Sequence, residues 1–100
     1  MIVNPFEPEL IDKMSQVLKK NDVVYAGIFG SYAKNMQKDE SDIDLLIEFN
    51  PHKRKTLFDM VDIQYELQNI FNKKIDLVTK NSLNKYIRDE VLHTVKVLYG

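Results

Sequence analysis

Asp42 and Asp44 stand one residue apart in Ser41-Asp42-Ile43-Asp44-Leu45-Leu46-Ile47. In a strand, side chains alternate between faces, so both acids point one way while Ile43, Leu45 and Ile47 point into a core. Two carboxylates fixed side by side repel unless a cation lies between them, and hard oxygen donors at this spacing suit Mg²⁺ carrying a phosphate. Upstream, Val23-Val24-Tyr25-Ala26-Gly27-Ile28-Phe29 is rich in β-branched and aromatic residues and reads as a strand that ends at Gly30. Gly30 permits close backbone approach. Ser31 is expected to open a short helix through Tyr32 and Ala33, whose free N–H groups favour an anion. An isolated Asp-x-Asp would more simply be a charged sheet edge that discourages edge pairing. Preceded by the Gly30-Ser31 turn, it reads instead as one half of a phosphate-and-metal device.

Gly30-Ser31-Tyr32-Ala33-Lys34 followed by Ser41-Asp42-Ile43-Asp44 resembles the minimal nucleotidyltransferases of the DNA polymerase β superfamily. That family's pattern is Gly-Ser, a spacer, Asp-x-Asp, and a third acidic residue on a later strand. Lys74-Ile75-Asp76-Leu77-Val78 supplies the third part, because Asp76 falls on the face opposite Ile75 and Leu77. The resemblance implies catalysis and metal binding by Asp42, Asp44 and Asp76, with one or two Mg²⁺ ions and ATP as the nucleotide. It also implies nucleotide contacts from Gly30, Ser31 and Lys34, although a solvated lysine at a helix end is an equal reading of Lys34. Where the family usually carries Arg-Gly, this chain has Lys34-Asn35. Lysine keeps the charge but not the planar bidentate fork, and Asn can replace Gly where the backbone is left-handed.

Small members of this family are antitoxin partners of helical HEPN-type ribonuclease toxins, and some inactivate the toxin by adding AMP to a tyrosine. The resemblance therefore implies an adenylyltransferase antitoxin acting on a protein hydroxyl within a hetero-oligomer. Two other readings stay open. One is a module that neutralises its partner by occlusion, and the other is transfer to a small hydroxylated molecule.

Composition bounds these expectations. With 100 residues, the chain is expected to form one α/β domain over 1–100, with no room for a separate acceptor-recognition domain. There are 14 basic and 15 acidic residues for a net charge of −1, which disfavours direct nucleic-acid binding. The one basic cluster, His52-Lys53-Arg54-Lys55, reads as a solvated loop or a contact to an acidic partner or nucleotide. The absence of cysteine excludes disulfides, thiolate metal sites and a cysteine nucleophile. No apolar run approaches the ~20 residues of a membrane span, and no signal-like segment opens the chain, so a cytoplasmic location is expected.

The remaining elements must hold the acids in place. Leu10, Ile11, Met14, Val17 and Leu18 recur at helical spacing after Pro8, up to about Asn21. Thr56 and Asp59 have capping-box spacing ahead of a helix whose apolar stripe is Leu57, Met60, Ile63, Leu67 and Ile70. Asn72-Lys73 breaks that helix before the Asp76 strand. Ser82 is expected to cap a further helix to about Arg88, and Val95 to Tyr99 to form a last strand. The expected architecture is a polymerase β-like mixed sheet with helices largely on one face.

Overall fold

The computed structural model describes residues 6–30 and 42–100. Helix α1 (Pro8–Lys20) leads to strand β1 (Val23–Phe29), and β2 (Ile43–Phe49) is followed by α2 (Leu57–Phe71) and β3 (Ile75–Thr79). A single 3-10 turn, Lys80–Ser82, then precedes α3 (Lys85–Thr94) and β4 (Lys96–Tyr99). The sheet order is β3-β2-β1-β4. β1 runs antiparallel to both β2 and β4, whereas β2 and β3 are parallel, with α2 as the crossover between them. Parallel neighbours need a long connection of this kind, and it lays α2 across one face of the sheet.

Local chemistry accounts for the helix boundaries. Pro8 occupies the first turn of α1, where its missing N–H has no partner to lose, and Lys19 and Lys20 close the helix at its negative end. At the start of α2, the Thr56 N–H donates to Asp59 Oδ2 at 2.7 Å. Asn72 ends α2 in a left-handed conformation, φ 54°, which asparagine adopts more readily than most residues.

The main core lies between the sheet and the α1/α2 layer. Met14 and Leu18 of α1 meet Ile28, Ile43, Leu45 and Ile47 of the sheet there, with Ile63 and Leu67 of α2 closing over them. The opposite face carries a smaller cluster of Leu46, Leu83 and Val91 with Tyr25, Phe29, Val78 and Val95 against it. The two long helices therefore share one face, while α3 leans on the other. Gly27 permits that arrangement, because a Cβ there would lie 2.5 Å from Val95 Cγ2 and 3.3 Å from the Lys96 carbonyl oxygen.

Three expectations need correction. Helix α3 does not end near Arg88 but continues to Thr94. Leu57 does not belong to the buried stripe of α2; it is 81% exposed, and Phe71 occupies the core instead. The first residue of a helix projects beyond the sheet it packs on, so periodicity alone overextends the stripe. Ser82 does not cap α3. Its hydroxyl closes the 3-10 turn by bonding the Thr79 backbone, and Asn84 caps α3 by accepting from the Tyr86 N–H at 2.8 Å. No helix among the described residues is long and apolar enough to cross a membrane.

Candidate active site

The three acids gather at one end of the sheet, where β1 finishes and β2 and β3 begin. The alternation read from the sequence holds: Ile43, Leu45 and Ile47 are fully buried, and Asp44 faces the other side. Asp44 pairs in register with Asp76 on the parallel neighbour β3, and with Phe29 on β1. In-register residues on adjacent strands share a face, so the two carboxylates confront each other directly. The pKa of Asp44 is raised, first by burial, then by the charges of Asp76 and Asp42 and by a side-chain hydrogen bond with Asp76. Such a hydrogen bond between two carboxyl groups needs a proton on one of them.

Asp42 precedes β2 and is exposed. Its carboxylate leans toward Lys74, with Nζ to Oδ2 at 3.9 Å. Both groups are largely solvated, so the contact orients Asp42 without adding much stability.

Gly30 ends β1 with φ +73°, and a Cβ there would collide with the Asp44 Oδ2. Its lack of a side chain therefore has a specific purpose: it lets the turn pass beside the central carboxylate. Ser31 and Lys34, expected to contact the nucleotide, lie outside the described residues, as do Tyr32, Ala33, Asn35 and Ser41.

Two residues that sequence reading passed over position Asp76. Gln64 Nε2 donates to the Ile75 carbonyl at 2.7 Å, and the Ile75 N–H donates to Gln68 Oε1 at 3.1 Å. Both backbone groups of the residue before Asp76 are thus held by one helix. A third bond, from the Ile43 N–H to the Lys74 carbonyl at 2.9 Å, ties the start of β2 to the start of β3. The available signal was a pair of glutamines four apart on the α2 side that turns toward the sheet, where a polar residue needs a partner.

Among the described residues, no three His, Cys, Asp or Glu side chains are drawn together tightly enough to hold a metal ion as they stand. Asp44 and Asp76 converge, and Asp42, exposed at the strand start, stands close enough for its charge to act on Asp44. The charges of Asp76 and Asp42 add to the raised proton affinity of half-buried Asp44, and carboxylates gathered in this way are a donor set that fits a hard divalent cation such as Mg²⁺. The cleft between Phe49, Lys53, Lys55 and Lys80 lies at the other end of the sheet.

Comparison with known proteins agrees with this geometry. The family model described as polymerase beta nucleotidyltransferase matches residues 12–100. A provisionally named protein adenylyltransferase of Methanocaldococcus jannaschii is 42% identical over 85 residues, covering 85% of this chain and 89% of that protein. The fold superposes with a TM-score of 0.75 on the crystal structure of a toxin–antitoxin with AMP-PNP, at 23% identity over 90% of this chain and 73% of that one. It also matches a complex of the tri-AMPylated Shewanella oneidensis HEPN toxin with MNT antitoxin, at a TM-score of 0.68 and 20% identity over 92% of this chain and 71% of the other.

Proposed function

The chain belongs to the polymerase β nucleotidyltransferase family, and on that premise we propose that it is an antitoxin that transfers AMP from ATP to a tyrosine hydroxyl of a HEPN-type helical toxin. The observation that carries the reading is the in-register pairing of Asp44 with Asp76 beside the Gly30 turn. A structural role gives no reason to keep two partly buried carboxylates face to face, since the charge of Asp76 adds to the cost of ionising Asp44.

Asp42, Asp44 and Asp76 would hold one or two Mg²⁺ ions, which supply neutralisation of the triphosphate charge and of the leaving pyrophosphate. Asp76 would, by proximity, help remove the proton of the attacking hydroxyl. That oxygen bonds the α-phosphorus, the bond to the β-phosphate oxygen breaks, and pyrophosphate leaves with the electron pair. Gln64 and Gln68 keep Asp76 opposite Asp44 through the backbone of Ile75. The attacking hydroxyl belongs to the acceptor. The named relatives support protein as that acceptor.

Incubation with a HEPN-type partner and ATP labelled at the α-phosphate should transfer label to the partner, while γ-phosphate label should stay off it. The partner should gain the mass of AMP on a tyrosine and stay inactive after this chain is removed. Full recovery of the partner's activity on separation, with no gain in mass, would leave occlusion as the function.

A further inference from the structure

Helix α2 is apolar on two opposite sides. Met60, Ile63, Leu67 and Phe71 turn toward the core, while Leu57, Phe58, Val61 and Tyr65 turn outward at 81%, 83%, 60% and 66% exposure. The other long helix behaves differently: the outward face of α1 carries Asp12, Lys13, Gln16 and Lys19. A helix apolar on both sides is the kind found between two packed layers. One layer is the sheet, and the second is missing from a single protomer.

We propose that the outward face of α2 is the interface of a two-fold homodimer. Three features of this face complement each other on the same helix, as a contact between identical surfaces requires. Phe58 is a protruding knob, and one to two turns further on lies a cleft lined by Lys20, Asn21, Val61, Asp62, Tyr65 and Glu66. Antiparallel packing of two α2 helices, crossing near Val61, brings each Phe58 to the other protomer's cleft.

Charge matches in the same arrangement. Exposed Lys53 and Arg54 precede α2, and exposed Asp62 lies near its middle, while Glu66 is already paired with Lys20 at 2.7 Å. Antiparallel pairing brings the basic residues that precede one helix toward Asp62 of the other. Lys55 is committed elsewhere, to Asp22 at 3.0 Å.

The area is sufficient. Aromatic side chains bury ~150–250 Å² each, so with Leu57 and Val61 the stripe offers on the order of 500 Å² per protomer and about 1,000 Å² per pair, the size at which specific interfaces begin. The carboxylates lie on the other face of the sheet, away from this interface.

Light scattering of the purified full chain over the micromolar range tests the proposal. The expected mass is twice the 11.8 kDa of the protomer, falling to the protomer mass in Phe58→Asp with an unchanged circular dichroism spectrum. Because the chain has no cysteine, Val61→Cys introduces a single thiol that should cross-link to its own copy on oxidation, whereas Lys13→Cys on α1 should not. A protomer mass for the unaltered chain throughout, or a dimer that survives Phe58→Asp, overturns the proposal. A monomeric chain whose binding to a helical toxin is lost in Phe58→Asp would assign the face to that partner and also overturn it.

Discussion

Asp44 and Asp76 face each other in register across the parallel pair β2 and β3, and the proton affinity of Asp44, raised first by burial, is raised further by the charge of Asp76. The two residues are brought together by a crossover through α2, whose glutamines grip the backbone next to Asp76. The core packing and the site geometry therefore depend on the same helix.

Removing the Asp44 charge should stabilise the metal-free protein at neutral pH. The fold favours the protonated form of Asp44, so its stabilising contribution is complete below the ordinary carboxylate range and is lost as pH rises through the raised pKa. After solvent screening, Asp44→Asn should gain on the order of 0.5 kcal/mol at pH 7, or about 2–4 °C in melting temperature. The gain should vanish in strongly acidic buffer. An equal gain at both pH values would show that its origin is not the charge.

Mg²⁺ with ATP should raise the melting temperature, because mass action adds about 2.7 kcal/mol of stability at a hundredfold excess over Kd. The double variant Asp42→Asn, Asp44→Asn should lose that response. Retention of the shift in the double variant would place the nucleotide elsewhere.

Asp76→Asn nearly preserves volume, so the circular dichroism spectrum should be unchanged while transfer falls about 10²–10⁴-fold, the range expected for losing a positioned base. Nucleotide affinity should change less than the rate. A parallel loss of folded signal would make Asp76 a structural acid.

Gly30→Ala forces a side chain into the Asp44 carboxylate at a left-handed position. The left-handed backbone alone costs roughly 1–2 kcal/mol, and the displaced carboxylate should depress transfer beyond what that loss of stability explains. Wild-type transfer at a temperature where the variant is fully folded would refute the close approach.

Gln68→Leu leaves the Ile75 N–H without its side-chain acceptor. Loss of a buried partner costs about 1–3 kcal/mol, read as a lower denaturation midpoint. Transfer should fall with kcat rather than KM affected, since the change acts through the placement of Asp76.

Much of this molecule is legible in short stretches of sequence. Alternation in Ile43-Asp44-Leu45 and in Ile75-Asp76-Leu77 assigns each acid to the face away from the core, because side-chain direction in a strand is a local property. The Thr56–Asp59 cap and the Asn72 stop are also local, resting on bonds within a few residues. Other features depend on partners distant in sequence. Whether Asp76 meets Asp44 depends on strand order and register, which the packing of α2 on the sheet decides. The same packing determines that Leu57 projects into solvent while Phe71 is buried, although both fit one helical stripe. Gln64 and Gln68 acquire their role only when the backbone of Ile75 arrives beside them. Local alternation thus chose the face of each carboxylate, and long-range packing chose which carboxylates meet, because register is set by contacts between segments far apart in the chain.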